Sequence, residues 1–322
     1  MINVTPDPIA VQVGPVPVYW YGVAYAVGLV VAYLVMTRET ERKGQSVDVL
    51  STGIILVAVA ALIGGRLYHV IDQWQLYRSD PLKIILPPYT GLGVYGGLIT
   101  GTLAAVAYAR FRRVPFWTWA DIVAPGLFAM QMIGRWGNFA NQELYGPPTN
   151  LPWGIAIECD KRIADFPCAT FPFATTGFHP LFLYESISGL VGLLVLLWLG
   201  RRYAGRLRPG DLLAAFFVWY GIVRFGLEVL RHDNWLFFGV PTAQIFSLGF
   251  VVAGLAIAYW QHVVRPGPSM AASDEAWREA QAAADEDEED DEGAWDAEDD
   301  WEAGPSSDPE AIAPPEPDTG HA

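Results

Sequence analysis

The chain has 322 residues, of which 52% are hydrophobic and 13% aromatic, and its formal net charge is −15. Residues 271–322 carry 20 Asp and Glu against one Arg, a net of −19, whereas residues 1–270 carry 19 Lys and Arg against 15 Asp and Glu, a net of +4. A hydrophobic, mildly basic body followed by a strongly acidic tail argues against a soluble globular protein, and no nucleic-acid partner is expected.

Seven apolar segments of the body approach the roughly 20 residues that a membrane-spanning helix needs. They are residues 18–36, 49–65, 91–109, 117–134, 181–200, 212–230 and 243–260. The second is short, and the fourth contains Asp121 and Pro125. The first is too long for a removed signal peptide and is interpreted as a retained anchor. The predicted fold is an all-α polytopic membrane protein with about seven transmembrane helices, in which residues 1–265 form the transmembrane catalytic domain.

The basic residues of the short loops predict how the chain crosses the membrane, because short cytoplasmic loops are enriched in Lys and Arg. These residues follow the first, third, fifth and last predicted spans, and all fall on one side. They are Arg38, Arg42, Lys43, Arg110, Arg112, Arg113, Arg201, Arg202, Arg206, Arg208 and Arg265. The N-terminus is therefore expected outside and the C-terminus in the cytoplasm.

The two longest segments outside the predicted spans are an outer loop and the tail. The outer loop, about residues 139–180, holds Cys159 and Cys168, which form either a disulfide or two free thiols in an oxidising compartment. Two cysteines are too few ligands for a metal site, and no metal or other cofactor is expected. Residues 266–322 are rich in like charge and proline, which predicts a disordered tail, either simply solvated or a docking strip for a basic partner.

Four arginines lie near the outer ends of predicted spans, where the orientation rule leaves few basic residues. They are Arg66, Arg135, Arg224 and Arg231. Such side chains either reach towards lipid headgroups or line a site, because ionisable groups at membrane depth are costly. Arg224, Glu228 and Arg231 are spaced four and three apart and share one helix face. That face is either a net positive stripe for an anion or a salt-bridged helix contact.

The segment "IGRWGNFANQE", residues 133–143, ends the fourth predicted span with four polar side chains. They are Arg135, Asn138, Asn141 and Glu143. The arginine fork suits phosphate, the amides can donate to ester or hydroxyl oxygens, and the carboxylate can accept from a hydroxyl or orient the arginine. The two asparagines face the same way if the helix continues, whereas Gly134 and Gly137 fit a tight turn or helix end equally well.

Polar residues close to the other predicted spans complete the set of candidates. They are Tyr21, His69, His179 and Glu185. The sequence contains no Walker loop, HExxH motif, cysteine cluster or GxSxG motif. The combination of arginines, amides and carboxylates at the outer surface predicts a site that binds an anionic headgroup while its tails stay in lipid.

The motif "GRWGNFANQE" resembles the signature of the prolipoprotein diacylglyceryl transferases, bacterial membrane enzymes that lipidate lipoprotein precursors. Further segments match in the same order over about residues 10–262: "GPVPVYWYGVAYAVG", "GGRLYHV", "GLGVYGGLITG", "HPLFLYE", "RFGLEVLR" and "TAQIFSLGFVVAG". The resemblance implies transfer of the diacylglyceryl group of phosphatidylglycerol to the lipobox cysteine of a prolipoprotein signal peptide, with release of glycerol 1-phosphate. It also implies a place in the bacterial inner or plasma membrane, with the active site towards the outer leaflet.

The resemblance also implies roles for particular residues. Those implied to be catalytic are Arg135, Arg224, Tyr21 and Glu228. With the polar residues near the other predicted spans added, the predicted substrate-binding residues are Arg135, Asn138, Asn141, Glu143, Tyr95, His69, Arg66 and Arg231. The positions that match family motifs directly are the four of the signature, the first-span Tyr21 and the sixth-span pair Arg224 and Glu228.

One position departs from the family, because Tyr95 stands where members often have a histidine before the glycine pair. Tyrosine, with a pKa near 10, is a poor base at neutral pH. The base is therefore absent, moved to His69, or never obligatory; the interpretation preferred here is arginine electrostatics with Tyr21 assisting. A transporter for an anionic solute and a scaffold that recruits partners through its tail are the alternative functions.

Overall fold

Long helices dominate the computed structural model, which describes residues 1–14, 16–84, 91, 93–232, 236–284 and 286. The helices are α1 (Trp20–Arg42), α2 (Val47–Asp72), α3 (Trp74–Tyr77), α4 (Val94–Phe111), α5 (Phe116–Ala140), α6 (Leu181–Arg202), α7 (Asp211–Glu228) and α8 (Thr242–Tyr259). Three antiparallel two-stranded ribbons pair β1 (Ile9–Val13) with β2 (Val16–Tyr19), β3 (Pro148–Thr149) with β4 (Gly177–Phe178), and β5 (Leu236–Phe237) with β6 (Val240–Pro241).

Each predicted span falls on one of the long helices, so the mostly helical fold is confirmed. Within the described residues, four helices are long and apolar enough to cross a membrane by length and composition: α1, α2, α6, and α8 with the π-helical turn that follows it. The count of seven spans and the outward N-terminus stay predictions.

Helix α5 is the central element of the bundle and packs against α1, α6 and α7. Its side chains Ile122, Ala124 and Ala129 have no exposed surface, and Phe128 is only 1% exposed. A Cβ atom on Gly192 of α6 would lie 2.7 Å from the Phe128 ring, so the absence of a side chain there lets α6 approach α5. Because α5 faces other helices, it can carry polar residues that a lipid-facing helix could not.

Asp121 is the polar residue inside the fourth predicted span, and it is only 1% exposed. Its carboxylate accepts hydrogen bonds from the backbone N–H groups of Gly210 at 2.7 Å, Leu212 at 2.9 Å and Leu213 at 3.0 Å. These groups belong to the N-terminal end of α7, where helical N–H groups lack partners within the helix. Asp121 therefore caps α7 from α5 and joins the two helices.

A small head is formed by the outer loop between α5 and α6. Its core contains Tyr145, Ile157, Phe166 and Phe178, and Phe182 of α6 joins the same cluster. Within this loop Cys159 and Cys168 form a disulfide, which confirms the first of the two predicted alternatives.

The compact body extends to Asp274, and residues 275–322 form a separate unit. Residues 270–284 are helical, so regular structure is present in the first part of the predicted disordered tail; residues 285 and 287–322 lie outside the described ranges. Met270 is 1% exposed in the main core, and its N–H donates to the Leu207 carbonyl at 2.7 Å. The Lys43 ammonium lies 3.4 Å from the Asp274 carboxylate, with side chains 1% and 7% exposed. One apolar side chain and one buried ion pair attach residues 270–274 to the body, although the average composition of the tail conceals both.

We expect deletion of residues 275–322 to leave the apparent melting temperature in detergent unchanged, and deletion from residue 269 to lower it by several degrees. The longer deletion removes Met270 and leaves Lys43 buried without Asp274, and breaking a buried ion pair costs about 3–5 kcal/mol. Lys43→Met in the longer deletion should restore part of the loss. Equal melting temperatures of the two truncated chains would contradict the attachment.

Candidate active site

Five charged side chains from α5, α6 and the end of α7 form a continuous series of ion pairs, called here the arginine–glutamate chain: Arg135, Glu185, Arg224, Glu228 and Arg231. Glu185 forms an ion pair with Arg135 Nε through one oxygen and with Arg224 Nη1, at 3.1 Å, through the other. Arg224 Nη2 lies 2.5 Å from Glu228 Oε2, and Arg231 Nη1 lies 3.8 Å from the same oxygen. The C-terminal ends of α5 and α7 are thereby tied to the N-terminal end of α6.

Burial differs along the arginine–glutamate chain. The carboxylates are nearly enclosed, with Glu185 7% and Glu228 3% exposed, whereas Arg135 and Arg231 at the two ends are 23% and 19% exposed. Burial and the nearby Arg224 charge lower the pKa of Arg231, which lies beyond the end of α7, so an added anion would stabilise its charged form. Arg135 and Arg231, at the two ends of the arginine–glutamate chain, are therefore its most exposed guanidiniums.

The signature segment continues as helix through both glycines to Ala140, with Asn141 as its C-cap, so the alternative of a tight turn at these glycines is wrong. Asn138 Nδ2 donates to Glu143 Oε1 at 2.8 Å, and Asn141 Nδ2 donates to the same oxygen at 3.4 Å. Arg135 Nη1 donates to Asn138 Oδ1 at 3.5 Å. Glu143 thus orients the two amides, while the carboxylate that binds Arg135 directly is Glu185.

The glycines of the signature allow α1 to approach α5. A Cβ atom on Gly137 would lie 3.0 Å from Tyr21 Cδ2 and 3.1 Å from Tyr21 Cα, and one on Gly134 would lie 3.7 Å from the Tyr25 ring. The Tyr21 hydroxyl donates to the Tyr25 hydroxyl at 3.2 Å, and the two rings stack at 4.8 Å. Tyr21 is therefore placed beside the turn of α5 that carries Asn138.

Arg66 of α2 contacts the segment that precedes α4. It donates to the carbonyl oxygens of Lys83 at 2.7 Å, Ile84 at 3.1 Å and Gly91 at 3.3 Å. Its guanidinium lies 5.2 Å from the centre of the Tyr77 ring. These contacts tie Arg66 to Lys83, Ile84 and Gly91, and its predicted contact with substrate stays a prediction.

His69 and Tyr95 also make ring contacts between elements. The His69 ring occupies the space beside Gly91, where a Cβ atom would lie 2.2 Å from it, and the φ angle of +86° favours glycine there. Its centre lies 6.0 Å from that of Tyr77. Tyr95 of α4 stacks on Phe246 of α8 with ring centres 5.0 Å apart. The structure thus places His69 against the segment before α4, and Tyr95 between α4 and α8.

Glu185 is among the polar candidates of the sequence, but no sequence pattern assigns it a role. It lies in "HPLFLYE", one residue after Tyr184, and only the fold shows that it bridges two arginines from other helices. Charge balance is the available signal, because two arginines near predicted span ends require a carboxylate partner. Among the described residues, no group of three or more His, Cys, Asp or Glu side chains is placed to hold a metal ion.

Comparisons with known proteins agree on one family. Residues 8–260 match the profile of the family described as "Prolipoprotein diacylglyceryl transferase". A phosphatidylglycerol–prolipoprotein diacylglyceryl transferase of Trichormus variabilis is 38% identical over 274 residues, which cover 84% of this chain and 95% of the relative. Proteins of the same name from Halalkalibacterium halodurans and Bacillus cytotoxicus are 37% and 35% identical, over 79% and 77% of this chain and 86% and 90% of their own lengths.

We expect Glu185→Gln to lower the apparent melting temperature by several degrees, because it leaves two adjacent guanidiniums without the carboxylate between them; breaking such a buried pair costs about 3–5 kcal/mol. The double variant Glu185→Gln, Arg224→Gln should lose less than the sum of the single losses, since the second change relieves the repulsion. Glu41→Gln, at an exposed glutamate of α1, is the matched control. Strictly additive losses in the double variant would contradict the bridge.

Proposed function

The protein belongs to the prolipoprotein diacylglyceryl transferase family. From that premise we propose that the arginine–glutamate chain binds the phosphate of phosphatidylglycerol. The chain is a transferase of bacterial lipoprotein maturation: it moves the diacylglyceryl group of phosphatidylglycerol to a prolipoprotein, in the first step of that process. The acceptor is the thiol of the lipobox cysteine in the signal peptide. The observation that carries the assignment of the site is the joining of Arg135, from the family signature, to Arg224 through Glu185.

The chemistry requires positive charge where the leaving group departs. The thiolate sulfur attacks the glyceryl carbon of the lipid and forms the thioether, and the carbon–oxygen bond to the phosphate breaks. The electron pair of that bond leaves with glycerol 1-phosphate, so a phosphodiester with one negative charge becomes a phosphomonoester with two. Arg135 and Arg224 stabilise this developing charge, and a preorganised donor of this kind is worth about 10²–10³ in rate.

The polar neighbours of Arg135 complete the proposed site. Asn138 and Asn141 bind glycerol or ester oxygens with their amides, which Glu143 holds in orientation through the hydrogen bonds at 2.8 and 3.4 Å. Tyr21 lies over the same turn of α5 and assists Arg135.

The remaining residues of the proposed substrate-binding set act at the edges of the site. Arg231 adds charge for the headgroup, Glu228 fixes Arg224 and Arg231, and Arg66, His69 and Tyr95 shape the wall on the side of α2 and α4. No cofactor is required by this scheme.

We also propose that the protein lies in the bacterial inner or plasma membrane. It has seven spans, an outward N-terminus and a site near the outer leaflet. The pairing of helix ends supports it. Arg201 near the end of α6 lies 2.9 Å from Glu39 near the end of α1, so these basic loops share one end of the bundle. The arginine–glutamate chain joins the opposite ends of α5, α6 and α7, away from the loops that the distribution of basic residues assigns to the cytoplasm. The comparisons give no support to the anion-transporter alternative.

Arg135→Lys keeps the charge but loses the planar fork, and we expect it to reduce kcat/KM by about 10²-fold. The assay mixes purified protein, phosphatidylglycerol and a lipobox peptide, and mass spectrometry detects the diacylglyceryl adduct on the cysteine. Arg201→Lys, at the other end of the bundle, is the matched control and should retain wild-type turnover. Absence of any adduct with the wild-type protein under permissive conditions would contradict the proposed function, and full activity of Arg135→Lys would contradict the role of the fork.

Tyr95→Phe is expected to retain transfer, since the contact of Tyr95 with Phe246 uses the ring and not the hydroxyl. Tyr95→Ala, which removes the ring, should lower the melting temperature. Complete loss of transfer in Tyr95→Phe, with the fold intact, would show instead that the hydroxyl takes part in the reaction.

A further inference from the structure

A hydrogen-bonded series of three side chains lies where the head meets the N-terminal end of α6. Trp153 Nε1 donates to the Tyr184 hydroxyl at 3.0 Å, and the same hydroxyl lies 3.0 Å from His179 Nδ1. His179 and Tyr184 are both partly exposed. None of the three belongs to the arginine–glutamate chain, and none has a role in the scheme above.

The Tyr184 oxygen accepts from Trp153, because an indole N–H is a donor only. A hydroxyl oxygen has a second lone pair, so the tautomer of His179 decides the direction of the other hydrogen bond. In the tautomer with its hydrogen on Nε2, His179 Nδ1 accepts the Tyr184 hydroxyl hydrogen, and a relay requires this tautomer. A phenol that donates to an imidazole in this way can pass its proton on when it receives another.

Backbone hydrogen bonds hold His179 near the residues that follow α7. Gly146 N–H donates to the His179 carbonyl at 2.9 Å, and His179 N–H donates to the Pro147 carbonyl at 3.1 Å. A Cβ atom on Gly146 would lie 2.8 Å from His179 Cβ and 3.3 Å from the carbonyl oxygen of Leu230, the residue before Arg231. Tyr184 directly precedes Glu185, so the series and the arginine–glutamate chain meet at the same end of α6.

The other histidines of the described residues have different surroundings. His69 contacts the segment before α4, and the His232 ring packs against Phe166 with centres 5.0 Å apart. His262 Nε2 lies 2.8 Å from Asp211, which opens α7 at the end opposite to Arg224. Within the described ranges, His179 is therefore the histidine that combines a hydrogen-bonded phenol, partial exposure and a place beside the arginine–glutamate chain.

We propose that Tyr184 and His179 form a proton relay that activates the acceptor thiol, an inference that rests on the proposed function. The cysteine S–H proton passes to the Tyr184 oxygen while the hydroxyl proton of Tyr184 passes to His179 Nδ1. The thiolate then attacks the glyceryl carbon, and the carbon–oxygen bond pair leaves with the phosphate. His179, now an imidazolium, returns its proton to the released phosphate or to water. Tyr184 is the group that contacts substrate, and His179 acts through it.

The elements near the relay carry further charged and titratable groups. Helix α6 carries Glu185, next to Tyr184 in sequence, the segment after α5 carries Glu143 and Tyr145, and Arg231 follows α7. Arg231 is tied to Glu228 at 3.8 Å, and Glu143 accepts from Asn138 at 2.8 Å. The pH dependence expected below is therefore assigned to the thiol of the peptide and not to one of these groups.

The test is the pH profile of transfer to a lipobox peptide by His179→Asn, whose side-chain oxygen can accept from Tyr184 as Nδ1 does but cannot take up the proton. We expect at least a tenfold loss at pH 7, and a rate that rises about tenfold per pH unit towards the ordinary thiol pKa of about 8.5. The wild-type rate should rise much less over the same range. Tyr184→Phe should show the same profile as His179→Asn.

His232→Asn, the same substitution at the histidine that packs against Phe166, is the matched control and should keep the wild-type profile. A loss of activity in His179→Asn that is the same at every pH would assign His179 a structural role and overturn the relay. An unchanged rate in this variant would overturn the relay as well. If the wild-type protein forms an adduct and only the profile disagrees, the relay alone is wrong. If the wild-type protein forms no adduct at any pH, the proposed function is wrong and the relay with it.

Discussion

The ion pairs of Glu185 are the interaction on which the arrangement of the site depends. A single carboxylate, 7% exposed, binds guanidiniums from α5 and α7. In a medium of low dielectric constant each of these three charges would be costly alone, so the helices that carry them must meet at one point. The same requirement explains why Glu228 lies against Arg224 and Arg231. The geometry of the proposed phosphate site is thus a consequence of neutralising buried charge.

The polar and small residues of α5 follow from its place at the centre of the bundle. Asp121 caps α7, and Gly137 admits Tyr21. On a helix that faces lipid, an aspartate would be strongly unfavourable, whereas on α5 it meets backbone donors that need a partner. The polar and small residues that let α5 contact other helices also lower its hydropathy. A prediction from hydropathy alone is therefore weak for this span, although the helix is central to the bundle.

The sequence allowed the long helices and most residues of the candidate site to be predicted, because hydrophobic length and the signature motif are local properties. The role of Glu185 could not be predicted in this way, since its partners lie on two other helices and the pattern of α6 contains no sign of them. The helix at Gly137 packs closely against Tyr21, which is distant in sequence. Burial of Met270 depends on the loop between α6 and α7, which the acidic composition around it obscures. Long-range contacts, and not local preferences, decided each of these features.

The formal charges of the site indicate that binding the phosphate and activating the thiol are separate tasks. Arg135, Arg224 and Arg231 face Glu185 and Glu228, a formal net of +1, and Glu143 brings the formal sum to zero. An overall surplus of positive charge therefore does not account for an acidic thiol, and the role proposed for the guanidiniums is to bind the phosphate through directed hydrogen bonds. Because the formal charges of these side chains nearly cancel before the lipid binds, the thiol proton needs a separate acceptor. This favours a relay at Tyr184 and His179 over activation of the thiol by the arginines alone.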